Sequence, residues 1–158
     1  MSNKNNDDLK RQASENTLGL NPIIALRKKD LLASAKMVLT QAIKQPLHSV
    51  KHVAHFGVEL KNVVFGKSEL APESDDRRFN DPAWSQNPLY KRYLQTYLAW
   101  RKELHDWIGD SNLSEQDISR GHFVINLMTE AMAPTNSAAN PAAVKRFFET
   151  GGKSLLDG

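Results

Sequence analysis

The stretch that decides the fold reads Asp-Asp-Arg-Arg-Phe-Asn-Asp-Pro-Ala-Trp (Asp75 to Trp84), Ser-Gln-Asn-Pro-Leu-Tyr (Ser85 to Tyr90), and continues through Tyr93, Tyr97, Trp100 and Trp107. All three tyrosines and all three tryptophans of the 158-residue chain fall within it. Asp81-Pro82 and Asn87-Pro88 each place a capping side chain before a proline at the first helical position, so two helix starts are expected in succession. From Pro88 the apolar residues fall at 90, 93, 94, 97, 98, 100, 104, 107 and 108, a helical period, and Gly109 supplies a stop. Tyr90, Tyr93, Tyr97, Trp100 and Trp107 share one stripe of that helix. An aromatic stripe of this size has to be covered, by the domain's own core or by a docked neighbour.

Working outward, the same reading gives helices on both sides. Leu31, Leu32, Ala35, Val38, Leu39, Ala42 and Ile43 follow Asp30, a suitable N-cap, in a helical stripe as far as Pro46. A second helix over 47–65 gathers Leu47, Val50, Val53, Ala54, Gly57, Leu60 and Val64 on one side. Gly66 to Ser74 reads as a linker. Beyond Gly109, Ser114 with Asp117 resembles a capping box opening a helix to about Met132. Pro134 to Asn140 is a loop, and Asn140-Pro141 opens a short helix to Thr150, stopped by Gly151 and Gly152. No alternating strand-type run and no internal repeat is present, so the chain is read as mostly α. Three parts are expected: a polar flexible tail over 1–26, basic amphipathic helices over 27–66, and a helical domain over 67–158.

Composition narrows the function classes. Hydrophobic residues make up 40% and charged residues 25%, as in a soluble globular chain. No apolar run approaches the ~20 residues of a membrane-spanning helix, and the polar first thirty residues lack the apolar core of a secretory signal. With no cysteine, disulfides and thiolate chemistry are excluded, which fits a cytoplasmic setting. The net charge of +3 is too small to imply nucleic acid, and no nucleic-acid motif accompanies it. Its distribution is uneven: residues 27–67 hold eight Lys and Arg against Asp30 and Glu59. Lys28, Lys29, Lys36, Lys44, Lys51 and Lys61 flank the apolar stripes of the first two helices, the arrangement of helices that lie on an interface.

Local motifs add little chemistry. Gly66 to Ser68 and Gly152 to Ser154 both read Gly-Lys-Ser, but the second glycine of a phosphate loop needs a partner five residues earlier, where Lys61 and Phe147 stand. His48, His52, His55 and Glu59 share one face of the second helix, opposite its apolar side. Histidines at i and i+4 can chelate a metal, yet the simpler expectation is a solvated face, so no metal site is assigned. No catalytic or cofactor-binding residue is assigned either.

Taken in order, the Asp75–Trp107 block, Ala133-Pro134-Thr135-Asn136 with Asn140-Pro141-Ala142-Ala143, Glu149 to Leu155, and the opening Gln12 to Asn16 and Leu18 to Pro22 resemble the N-terminal region of the poly(3-hydroxyalkanoate) synthases, of the medium-chain-length type (class II). The resemblance covers essentially all of the chain. It implies a parent acyltransferase that polymerises (R)-3-hydroxyacyl-coenzyme A with release of coenzyme A. It also implies that this chain stops before the α/β-hydrolase domain that carries the cysteine nucleophile. No Gly-x-Cys-x-Gly or Gly-x-Ser-x-Gly elbow occurs here, so the chain alone is expected to be inactive. Its implied partners are the catalytic domain, a second synthase copy in a homodimer, and the polyester granule surface with its phasins. A free-standing, phasin-like helical protein of the granule surface is the alternative.

Overall fold

The computed structural model describes residues 28–151, and side chains from Asp30 onward; the tail expected over 1–26, the Gly152–Ser154 tripeptide and the side chains of Lys28 and Lys29 lie outside them. Among the described residues every regular element is helical: α1 Lys28–Lys44, α2 Pro46–Val64, the single turn α3 Ala83–Gln86, α4 Pro88–Gly109, α5 Glu115–Ala131 and α6 Pro141–Glu149. Short 3-10 turns at Arg77–Phe79 and Pro134–Asn136 complete the set.

The starts follow local side-chain chemistry. Asn87 Oδ1 accepts from the amides of Leu89 (2.9 Å) and Tyr90 (3.4 Å), with Pro88 at the first position. Ser114 accepts from the Asp117 amide while its hydroxyl donates to the Asp117 carboxylate, and Asn140 caps α6 through the Ala142 amide. Asp81 Oδ1 accepts from Ala83 N at 2.9 Å, so the first of the two expected starts yields one turn only. Two boundaries differ from the sequence reading. Helix α1 begins at Lys28, which moves Asp30 from the cap into the first turn, where its carboxylate still complements the helix dipole. Gly109 is the last residue of α4 rather than its stop, which falls at Asp110.

Pro46 marks the break between α1 and α2, and the break is bridged. The amide of Gln45 still reaches Gln41 O and that of Ser49 still reaches Gln45 O, both at 3.0 Å. Proline has no N–H to offer the carbonyl of Ala42. The hydroxyl of Ser49 donates to that carbonyl instead, at 3.2 Å.

Helix α4 is the hub: α2, α3 and α5 all pack on it, and α1 packs on α5. At the N-terminal half of α4, Phe79, Trp84, Leu94, Tyr97 and Ala133 form one buried cluster. Its rings meet edge to face, Phe79 with Trp84 and Trp84 with Tyr90 both at 5.4 Å between centroids. At the other end Trp107, Ile108 and Ile125 form a second cluster, flanked by Val38 and Ala42 of α1. There α5 approaches so closely that a Cβ at Gly121 would collide with the Ile108 side chain. Glycine is needed at that crossing for space.

The expected linker is fastened down. Gln95, buried on α4, donates to the carbonyls of Ser68 (2.8 Å) and Leu70 (3.2 Å), and Ser68 Oγ donates to Glu59 at 2.6 Å. Gly66, at φ +69°, makes the left-handed turn out of α2 that a side chain would strain.

Candidate functional site

Helix α2 sits on α4 the opposite way round from a typical amphipathic helix. Its face toward the domain carries buried His52 and Val63, with His48, Ser49, Phe56 and Glu59 half-buried. Its outer face carries Leu47, Val50, Val53, Val58 and Val64, each between 61% and 85% exposed. On α1, Leu32, Leu39 and Ile43 are exposed as well. Leu39 and Val53 border one hollow of about 500 Å³, so the two outer faces meet there. Val38, Phe56, Trp100, Leu104 and Trp107 complete its apolar wall, and His52 and Glu103 contribute its polar part. An apolar patch of this extent is unusual on a soluble surface and marks a place of contact.

The candidate basic residues belong to the same outer region. Lys36, Lys44, Lys51 and Lys61 are all exposed.

The histidine face is solvated only at His55, where the sequence reading expected solvent along all of it, because α4 supplies partners for His48 and His52. His52 Nδ1 lies 2.6 Å from Glu103 Oε1, and His55 Nδ1 lies 3.6 Å from the same oxygen. The far nitrogen of His52, Nε2, is buried without a hydrogen bond, 3.8 Å from Asp110 Oδ2. His48 Nε2 donates to the carbonyl of Trp107 at 2.9 Å, and the Trp107 indole N–H donates to Ser49 Oγ at 3.2 Å. Glu59, the fourth member of the face, turns to Asn62 and Ser68 instead. A polar seam therefore joins α2 to α4 while the apolar face of α2 stays free.

The aromatic stripe of α4 is divided. Tyr97 and Trp107 are buried in the domain's own two clusters, Tyr90 and Trp100 are half-buried beside them, and Tyr93 is 42% exposed. Burial raises the phenol pKa of Tyr97, whose hydroxyl donates to Thr129 O at 3.3 Å. The stripe is thus first a core element, and Tyr93 with the exposed Leu89 is what it leaves outside. On α6, Phe148 is 76% exposed.

Two polar groupings were not visible as motifs. Arg78 binds Asp76 through Nε (2.8 Å) and Nη2 (2.7 Å) and also reaches Glu130 of α5. Those bonds hold the Asp76 carboxyl below its ordinary pKa, and Asp76 in turn raises that of Arg78. On the α5 side of α4, His105 and His122 stack at 5.0 Å with their Nδ1 atoms 2.7 Å apart. His105 Nε2 donates to Asn126 Oδ1 at 3.0 Å, which leaves its Nδ1 to accept from His122. Protonating that Nδ1 would set two N–H groups against each other. Burial first, and His122 second, hold the His105 pKa below its ordinary value. Both groupings join residues far apart in the chain, so no local pattern reports them.

None of these arrangements is a nucleophile–base pair. The Gly66–Ser68 tripeptide is no phosphate cradle either, since the Ser68 hydroxyl is engaged by Glu59. The geometry supports binding and docking.

Comparison with known proteins identifies the family. The chain is 83% identical over its whole length to poly(3-hydroxyalkanoate) polymerase 1 of Ectopseudomonas oleovorans, of which it covers 28%. It is 46% identical over 87% of its length to polymerase 2 of the same organism, covering 25% of that protein. It is also 30% identical over 82% of its length to the polymerase subunit PhaC of Cupriavidus necator, covering 22%. The chain thus spans between 22% and 28% of the length of these three relatives. No solved structure matches it significantly. No helix among the described residues is long and apolar enough to cross a membrane. Residues 75–158, more than half of the chain, match the model of the poly-beta-hydroxybutyrate polymerase (PhaC) N-terminus, and the chain belongs to that family.

Proposed function

We propose that this chain is the non-catalytic helical region of a polymerase that joins (R)-3-hydroxyacyl-coenzyme A units into polyester and releases coenzyme A. The observation that carries this reading is the 83% identity, without a break in coverage, to a poly(3-hydroxyalkanoate) polymerase. The absence of cysteine from the sequence supports a supporting role, since a thiolate nucleophile must then come from elsewhere. The same relatives favour this reading over a free-standing, phasin-like protein.

Within the parent enzyme the region has two kinds of contact. The apolar outer face of α1 and α2, edged by Lys36, Lys44, Lys51 and Lys61, takes the granule surface or its phasins, in the manner of an interfacial helix pair. Tyr93, Leu89 and Phe148 are left for the seam with the catalytic domain or a second copy in a dimer. Localisation follows as cytoplasmic, at the polyester granule.

The test uses the full polymerase with Leu39, Ile43, Leu47 and Val50 all changed to Ser. These side chains are already in water, so the fold and coenzyme A release should persist. The variant should leave the sedimenting granule fraction for the soluble one. Unchanged granule association would sink the contact role of this face, and coenzyme A release by the isolated 158-residue chain would sink its non-catalytic assignment.

A further inference from the structure

The polar seam between α2 and α4 holds a set of donors that its structural role does not use up. His52 and His55 stand three residues apart on α2 and Glu103 faces them from α4, and one ligand atom of each lies within 4.8 Å of the others. In a tetrahedral zinc site, nitrogen and oxygen ligands about 2.0–2.1 Å from the metal are roughly 3.3 Å from one another. The His55 Nδ1–Glu103 distance of 3.6 Å is already close to that, and the His52 Nδ1–Glu103 distance of 2.6 Å needs only a small opening. Helix bundles build divalent metal sites from histidines and carboxylates on facing helices.

The tautomer of His52 is the second observation. While Nδ1–H donates to Glu103, the buried Nε2 of a neutral ring is a bare acceptor with no donor to meet, and it faces the Asp110 carboxylate at 3.8 Å. A cation on Nδ1 takes the place of its proton, and the neutral ring then carries its one proton on Nε2. The ring then donates toward Asp110, the carboxylate–histidine–metal arrangement that orients ligating histidines in known sites. The surroundings favour the exchange. Glu103 and Asp110 bring two negative charges to a cluster of imidazoles. The nearby ammonium of Lys102 is engaged by Asp106. His48 takes no part, being committed to the Trp107 carbonyl.

We propose that His52 Nδ1, His55 Nδ1 and the Glu103 carboxylate form a zinc-class divalent metal site that clamps α2 to α4, with water completing the tetrahedron on the exposed His55 side. The ligand set of two nitrogens and one oxygen suits Zn2+ or Co2+ better than a hard cation such as Mg2+ or Ca2+. Metal binding shifts the one proton of neutral His52 from Nδ1 to Nε2 by exchange with water, releases no net proton, and makes or breaks no other covalent bond. The inference stands independently of the polymerase reading.

The test is a Co2+ and Zn2+ titration of the chelator-treated full-length protein beside three variants. His55→Gln removes a ligand whose side chain is 55% exposed, so the fold should survive. Glu103→Gln keeps an acceptor for His52 while removing the carboxylate. The parent should bind one more equivalent of metal than either variant, with the intense visible absorption of four-coordinate cobalt. Asp110→Asn should weaken binding tenfold to a hundredfold through the ring orientation alone. Equal metal stoichiometry and identical cobalt spectra in the parent and His55→Gln would overturn the site. An unchanged affinity in Asp110→Asn would overturn Nδ1 as the ligating atom of His52.

Discussion

Two of the neighbours of helix α4, α5 and α2, hold it in two different chemistries. Toward α5, at the close crossing, it presents Ile108 against Ile125 and the bare backbone at Gly121, a dry contact in which shape decides, with the His105–His122 pair beside it. Toward α2 it presents Glu103 and the Trp107 carbonyl and indole, which meet His52, His48 and Ser49. The first attachment uses the apolar residues of both helices. The second uses mainly the polar ones of α2, beside Val63, and leaves its apolar face exposed. An amphipathic helix can face its domain either way, and the buried hydrogen bonds determine which.

The dry side should be the more fragile to truncation. Ile108 is fully buried, and Ile108→Ala removes apolar area and leaves a cavity against Gly121 that α5 cannot easily fill. A loss of about 2–5 kcal/mol in unfolding free energy is expected by denaturant titration. A loss under about 1 kcal/mol would mean that the α4–α5 crossing is looser than its geometry. On α2 the equivalent position is Val63, 1% exposed on the inner face. Val63→Ala should cost about 2 kcal/mol, the value of a buried pair of methyl groups with a partly relaxed cavity.

The polar seam should fail by desolvation instead. Ser49→Ala takes the acceptor from the Trp107 indole N–H and the donor from the Ala42 carbonyl that Pro46 cannot serve. About 1–3 kcal/mol should be lost, the cost of stranding a buried donor. Thermal unfolding of the single variant beside Ser49→Thr, which keeps the hydroxyl, separates this from a loss of packing.

A pH titration reads the α5 side. The His105 pKa is depressed in the folded state, so below the ordinary histidine value of about 6.5 the unfolded chain takes up a proton that the folded chain refuses. Stability is therefore full above that value and falls as pH drops from it through the lower folded value. The slope should flatten in His105→Gln, and an identical pH profile for the variant would remove His105 as its source. Asp76 acts in a separate, lower window. Its folded pKa is lowered, so its contribution is present above the ordinary carboxylate value of 3.8 and disappears as pH falls through the folded value.

Much of this was legible in the sequence, and the line between legible and hidden is physical. Helix starts at Asn87, Ser114 and Asn140 were readable because a cap and the amides it satisfies are neighbours in the chain. The aromatic stripe of α4 was readable from its period, and Tyr97 and Trp107 do lie in the core. Which face of α2 turns inward was not, because apolar periodicity favours the Val50–Val53 side and its polar rival depends on Glu103, 51 residues from His52. The His105–His122–Asn126 group and the Asp76–Arg78–Glu130 network were hidden for the same reason. Long-range polar pairs leave no local pattern.

The smallest expected effect is the most direct test of that inversion. Val50→Ala is the same substitution as Val63→Ala on the same helix, but Val50 is 63% exposed. Little apolar area returns to water when its methyl groups are removed, because most of it is there already. Alanine is the better helix former by a few tenths of a kcal/mol, since it loses no side-chain freedom against the preceding turn. Val50→Ala should therefore leave the isolated domain unchanged or make it slightly more stable, within about 0.5 kcal/mol. Val63→Ala should weaken the same domain. If the two costs were equal, or Val50 the costlier, the apolar face of α2 would be packed inward, and the polar seam with α4 would not be the attachment.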